Sequence, residues 1–420
     1  MATWITGGTV LTPAGQIEVG HVKIEGETIA AVGAGPGEPA ENDVTIDATG
    51  LFVAPGFVDT HSHGLGGFDA MDGPAGVEGM SLELVKYGVT AFLPTLVSAP
   101  PDELSRLVTE LSPLVTTGAD MAGLHLEGPY LDPGAPGMFS PEDFRPFDVD
   151  ELESLARAGD GGIRVMTIAC HGDAADALPR INMTGIVPSL GHAAGTYEDA
   201  RAAIDKGLSR CTHCFNAMTG MHHREPGIAG AMLLHRQVTA ELILDGEHVH
   251  PAMARMLFEM KGAARLALVS DSMQFAGLGE GSFEWRGYEI TVADGAARVP
   301  AGNLAGSVLT LDQAVRNAVE MLKIQPVTAR NAATVLIDHP EAAPASVSLA
   351  ERMAALETAR TARIEAAVEM ASLTPANSAG LGDTHGSLEP RKRADIVLLD
   401  ADLFPIRTLV GGETVWEAGG

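Results

Sequence analysis

The chain has 420 residues and a net charge of −28, from 27 basic and 55 acidic side chains. Hydrophobic residues make up 45% and charged ones 20%, enough apolar side chain for a sizeable core and too little charge for a disordered chain. The acidic excess argues against nucleic acid or an anionic membrane surface as a partner, and any anionic small molecule must be caught by locally placed cations.

The length predicts one large domain and a smaller one. Short apolar runs at Trp4–Thr6, Thr9–Leu11, His21–Ile24, Ile29–Val32 and Leu51–Val53 are separated by Gly-Pro and Asn-Asp punctuation and read as strands. Ala394–Leu399 and Thr408–Trp416 have the same character. Neither end is long enough to hold a core alone. Residues 1–54 and 385–420 are therefore expected to build one small β domain, a sandwich.

Between the ends, apolar runs alternate with amphipathic stretches, the pattern of a parallel α/β sheet. The runs are Phe57–Asp59, Val89–Leu93, Gly123–Leu126, Arg164–Ile168, Gly185–Ser189, Arg210–His213, Ala240–Leu244 and Leu266–Val269. Eight such strands close a (β/α)8 barrel, here over residues 55–384. Ionisable residues follow most of these runs, at the C-terminal face where barrel active sites lie. An open doubly wound sheet is the alternative, but it gathers ligands at one switch point. Within 338–375, Ser348–Glu351 fits a capping box, and Leu349, Met353, Leu356, Ile364 and Val368 approximate one face of a helix. That helix carries no catalytic side chain and reads as a packing or subunit-contact element.

Three cysteines, Cys170, Cys211 and Cys214, are too few for a disulfide framework. The Cys211–Cys214 spacing looks like a redox or zinc motif, but residues three apart on an extended strand point to opposite faces. Two non-converging sulfurs, buried as small apolar residues in a reducing compartment, are expected. The segment Met1–Ile5 lacks a signal-peptide pattern and no apolar run has membrane-spanning length, so a cytoplasmic protein is expected.

His61 and His63 lie two apart, with Asp59 at the same parity, and so project to one face of a strand as a pair of metal ligands. Two surface histidines in a Gly-rich turn is the plainer reading of an isolated His-x-His. Glu127 ends the run His125–Glu127, and His192 and His213 follow two further strands. Each of these alone reads as a capping carboxylate or a satisfied core histidine. Four histidines and a glutamate at four strand ends point together to one or two divalent ions. Asp271 closes the eighth run; it reads as a ligand, a structural carboxylate or, best, the proton carrier for an activated water.

These fragments resemble the amidohydrolase superfamily, and within it the N-acetylglucosamine-6-phosphate deacetylase family. The resemblance runs over nearly the whole chain, through Pro55–Asp59, His61–Gly64, Gly88–Thr95, His125–Pro129, Gly191–His192, Thr212–Met218, His223–Gly227, Asp245–His250, Ser270–Asp271 and Leu304–Ser307. The stretch from His213 to Gly227 is the most specific part. The resemblance implies that Glu127, His192 and His213 hold the main metal, that His61 and His63 hold a second, and that Asp271 is the acid/base. It implies zinc first, with iron, manganese or cobalt as alternatives. It assigns Met138, Asn216, Ala217, Leu304, Ala305 and Gly306 to the sugar side and Arg224 and His248 to the phosphate. Some phosphate contacts come from a neighbouring subunit in the family, which implies a homodimer.

Two departures stand out. Phe139 occupies the place of a sugar-contacting histidine, which removes a polar contact and leaves the identity of the hexosamine open. The helical segment near 338–375 looks inserted. The implied activity is deacetylation of N-acetylglucosamine 6-phosphate; N-acetylgalactosamine 6-phosphate, another N-acyl amino sugar, or a non-catalytic sugar-phosphate-binding regulator are the rivals.

Overall fold

The computed structural model describes residues 1–169, 172–323 and 349–419. Strands β1 (Thr3–Thr12), β2 (Gly15–Glu25) and β3 (Thr28–Ala34) form an antiparallel meander. The other edge of β1 is shared by β4 (Val44–Asp47) and then β5 (Phe52–Pro55), both parallel to it.

The chain then enters the barrel. Its strands are β6 (Phe57–Ser62), β7 (Val89–Val97), β8 (Leu124–Glu127), β9 (Ile163–Ile168), β10 (Val187–Leu190), β11 (Arg210–Cys211), β12 (Thr239–Leu242) and β13 (Leu266–Leu268). Each overlaps one of the eight predicted runs. They pair in parallel, in chain order. Just beyond β13 the first and last strands meet: the Asp271 N–H donates to the His61 carbonyl at 2.8 Å, and Ser62 bridges Ser272 in parallel. That seam excludes the open doubly wound sheet.

Helices α1 (Pro74–Leu84), α2 (Pro101–Leu111), α3 (Val149–Gly159), α4 (Asp173–Met183), α5 (Tyr197–Asp205), α6 (Gly227–Leu234), α7 (Pro251–Lys261) and α8 (Leu311–Met321) lie along the connections. In α2, Leu104, Leu107, Val108 and Leu111 fall at helical spacing and are all buried, so its apolar stripe faces the sheet. A reciprocal capping box between Thr196 and Asp199 starts α5. Between β13 and α8 the chain inserts an antiparallel ribbon, β14 (Gly281–Trp285), β15 (Tyr288–Ala293) and β16 (Ala296–Arg298), that sequence patterning did not single out. It is tied down where the Trp285 indole N–H donates to Asp69 Oδ2 at 2.6 Å.

Helix α9 (Leu349–Ala371) and the short α10 (Leu373–Ser378) pack over β6 and β13, covering the seam. The predicted capping box begins at Ser348, outside the described residues, and the side chains of Leu349 and Met353 lie outside them too. Ile364 and Val368 are buried as expected, but Leu356 is 46% exposed. Among the described side chains, the buried apolar ones lie beyond Leu356 in the helix. Strands β17 (Ile396–Leu399), β18 (Pro405–Val410) and β19 (Glu413–Glu417) complete the end sheet, with β17 antiparallel to β5. Ile5, Val22, Ile24, Val53, Ile396 and Leu398, drawn from both chain ends, share a core separate from that of the barrel.

The asymmetry of α9 has a measurable consequence. Ile364→Ala should cost about 2–5 kcal/mol, as for other buried Ile truncations, whereas Leu356→Ala should change stability by less than about 0.5 kcal/mol. Thermal unfolding of the two variants beside the parent checks this; equal losses would mean that Leu356 is covered in solution.

Candidate metal centre and active site

The functional side chains stand where strands stop. His61 is the penultimate residue of β6 and Glu127 ends β8, whereas His192, His213 and Asp271 follow β10, β11 and β13 by two or three residues. Those last three have left-handed backbones, with φ of 45°, 29° and 49°. Non-glycine residues hold such conformations at a cost of order 1–3 kcal/mol each, and they do so mostly where side chains must be aimed. Gly191 makes room for the turn at His192: a Cβ there would lie 2.7 Å from Thr167 Cγ2 and 2.8 Å from Thr212 Cβ.

Two groups of donors converge. Glu127 Oε1 lies 3.2 Å from His192 Nε2 and 3.1 Å from His213 Nε2, and those two nitrogens are 3.2 Å apart. Metal–ligand bonds of about 2.0–2.1 Å at tetrahedral angles place neighbouring ligand atoms about 3.3 Å apart, so this triangle fits a divalent ion. In the second group, His61 Nε2 and His63 Nε2 are 3.3 Å apart, and Asp271 Oδ1 lies 3.4 and 3.2 Å from them. Glu127 joins the groups, because its Oε2 is 3.4 Å from His63 Nε2.

Outer contacts set the imidazole tautomers. The Nδ1–H of His192 donates to the Ala135 carbonyl, that of His63 to the Thr95 carbonyl, and that of His61 to Glu241 Oε2, at 3.0, 3.0 and 2.9 Å. Each arrangement leaves Nε2 facing the other donors, as a metal ligand requires. Burial opposes the charge on Glu127, but hydrogen bonds from His192 and His213 hold its carboxylate well below the usual range. Burial likewise opposes the charge on Asp271, and the adjacent His61 and His63 outweigh it, holding Asp271 down as a carboxylate. Burial lifts Asp59 to about 6, against hydrogen bonds from Ser270.

A cavity of about 260 Å³ opens above these donors. Met138, Asn216, Ala217, His248, Leu304 and Gly306 line it as expected, together with His63, Glu127, His192, His213 and Asp271. Two expected residues are elsewhere. Ala305 is buried behind the wall, its N–H bonded to the Ala297 carbonyl, because Leu304 and Gly306 take the inward positions. Arg224 is exposed and outside the lining of this cavity, on a surface turn where His222 and Glu225 pair through their backbones. Phe139 lines the cavity, with its ring centre 5.6 Å from that of His192. His248 is held by Asp245, whose Oδ2 lies 2.6 Å from Nδ1.

Cys211 and Cys214 are free and buried, as expected of small packing residues. The chain turns at His213 instead of continuing as a strand, and the Cys211 thiol, bonded to the Thr212 carbonyl at 3.8 Å, is pushed well up by burial and by the nearby Cys214. Sequence patterning also passed over Met273 and Asn303, which line the cavity, and Glu241, Arg210 and Asp245, which hold its walls. For Glu241 a signal existed: a lone charge inside the apolar run Ala240–Leu244. Asn303 reaches the Gly137 carbonyl from a distant loop, and nothing local marks it. His125 lies one layer deeper than Glu127, bonded to the Thr60 carbonyl and the Thr167 hydroxyl.

Residues 52–415 match the amidohydrolase family. The N-acetylgalactosamine-6-phosphate deacetylase of Escherichia coli O157:H7 is 33% identical over 96% of this chain and 97% of its own. The N-acetylglucosamine-6-phosphate deacetylase of Vibrio furnissii is 31% identical over 94% and 90%. Among solved structures, a mutant N-acetyl-D-glucosamine-6-phosphate deacetylase of Mycobacterium smegmatis, in complex with N-acetyl-D-glucosamine-6-phosphate, superposes with a TM-score of 0.84, 34% identity and 99% coverage of both chains. Strand order, converging donors and full-length similarity agree: the chain belongs to the amidohydrolase family, in the group of N-acetylglucosamine-6-phosphate deacetylases.

Proposed function

We propose that the chain hydrolyses the acetamide of N-acetylglucosamine 6-phosphate to glucosamine 6-phosphate and acetate. The observation that carries this reading is the convergence of Glu127, His192, His213, His63 and Asp271 at the floor of one cavity, with His61 buried against them, in a chain about one-third identical to such deacetylases along most of its length.

Glu127, His192 and His213 would hold the principal divalent ion, and His61 and His63 a second. Zinc suits these donors best, and iron, manganese or cobalt would also be accepted. Such an ion supplies a Lewis acid for the amide carbonyl and brings the pKa of water to about 7. The protein's own contribution to proton transfer is Asp271. Its carboxylate takes a proton from the attacking water and returns it to the amide nitrogen as the C–N bond breaks, so that the amine leaves neutral. Met138, Asn216, Ala217, Leu304 and Gly306 would orient the sugar, with Ala305 setting the segment from behind. His248, fixed by Asp245, would donate to the 6-phosphate. Arg224 would serve the phosphate only across a homodimer interface, since it is exposed and outside its own chain's cavity lining.

A second reading has a specific support. Phe139 faces the cavity, and the relative from Escherichia coli O157:H7 is named for N-acetylgalactosamine 6-phosphate. Acetate release from the two epimeric sugar phosphates decides between them. Faster turnover of the gluco epimer is expected; no release from either would remove the deacetylase reading.

Asp271→Asn keeps the size of the side chain but cannot carry a proton. Metal content should persist while turnover falls by ~10²-fold or more. Turnover near the parent value would make Asp271 structural.

Phosphate capture is separable from chemistry. His248→Ala should raise KM for the 6-phosphate by the loss of one charge-assisted contact, about 1.5–3 kcal/mol, with little effect on unphosphorylated N-acetylglucosamine. Arg224→Ala should behave the same way only if the protein sediments as a dimer. Equal losses on both sugars would withdraw the phosphate assignment.

A further inference from the structure

Glu241 is a charged residue inside an apolar barrel strand, and it is wholly buried. Its Oε1 accepts from Arg210 Nη2 at 2.6 Å and Nε at 3.1 Å. Its Oε2 accepts from His61 Nδ1 at 2.9 Å and from the His213 backbone N–H at 3.0 Å. Arg210 is equally buried, and its remaining N–H groups reach Thr60 and Ser378. One carboxylate thus touches both donor groups: the ring of His61 in one, and the left-handed backbone of His213 in the other.

We propose that Glu241, oriented by Arg210, is the positioning residue of the metal centre. It fixes the His61 tautomer with Nε2 turned inward and clamps the turn that aims His213. An amide cannot replace it. Glu241 receives N–H donors at both oxygens, so the NH2 of a glutamine would face either Arg210 or the two donors from His61 and His213. A buried ion pair is weak evidence of added stability, since well-packed apolar replacements are often neutral or better. The pair is explained by what it orients.

This inference rests on His61 and His213 being metal ligands, and the test separates the two ideas. Metal-stripped parent, Glu241→Gln and the double variant Arg210→Met/Glu241→Met are titrated with Co2+, read by its visible absorption. Thermal unfolding of the same stripped proteins is recorded alongside. Loss of an outer contact to a ligand typically weakens metal binding about 10–100-fold, and Glu241→Gln should show a drop of that order. The double variant, free of an unpaired buried charge, should unfold near the parent temperature yet bind Co2+ as weakly as Glu241→Gln. Parent-like Co2+ affinity in Glu241→Gln overturns the positioning role, as does a double variant restored in both readouts. A parent chain that binds no Co2+ overturns the ligand assignment and the positioning role together. Should the double variant not fold, the isosteric Glu241→Gln decides alone.

Discussion

The arrangement depends on how one buried carboxylate is satisfied. Glu127 is 2% exposed, and four imidazole Nε2 atoms lie within 3.6 Å of its oxygens. A buried carboxylate without a compensating cation is costly, by several kcal/mol even after relaxation. Among the described residues, no lysine or arginine lines the cavity. His61, His63 and His192 have committed their Nδ1–H groups outward, so each presents Nε2 inward, where a divalent ion would be bound. Burial opposes the charge on His63, but hydrogen bonds from its imidazole to the Asp271 and Glu127 carboxylates outweigh it and hold His63 well above its usual range. A metal and protons therefore compete for one site, and metal binding is coupled to proton release.

The barrel makes this possible because its last closure is also a catalytic contact. The hydrogen bond from the Asp271 N–H to the His61 carbonyl joins the final strand to the first and fixes the carboxylate beside the two histidines. Asp59 reinforces the seam, with Oδ1 accepting from the backbones of His61 and Ser270 at 3.3 Å each. Helices α9 and α10 cover the same seam from outside, so the late helical segment supports the site through packing and not through chemistry.

The strands were legible because each is a compact apolar run, and the main ligands because each follows such a run. What stayed hidden is physically different. The ribbon from Gly281 to Arg298 buries only scattered side chains, such as Trp285, Ile290 and Val292, between exposed ones and joins neither large sheet, so it offers no compact apolar run. Cys211 and Cys214 do not share one extended strand, because the strand ends at Cys211 and His213 takes a left-handed backbone, which spacing cannot foresee. Leu356 was assigned to the apolar face by its spacing, yet its side chain is left exposed. Ala305 and Arg224 were placed by resemblance, which marks a segment as near the substrate without saying which of its side chains turns inward. Glu241 and Arg210 sit on adjacent strands and find each other only when the sheet is paired.

The central claim is that the buried donors exist to hold a divalent ion that the deacetylation requires. The most direct measurement is acetate release from N-acetylglucosamine 6-phosphate by protein stripped of metal, before and after Zn2+ is restored. The account predicts no turnover from the stripped protein and recovery as one or two ions per chain are bound. Full turnover by protein shown to be free of metal would contradict it.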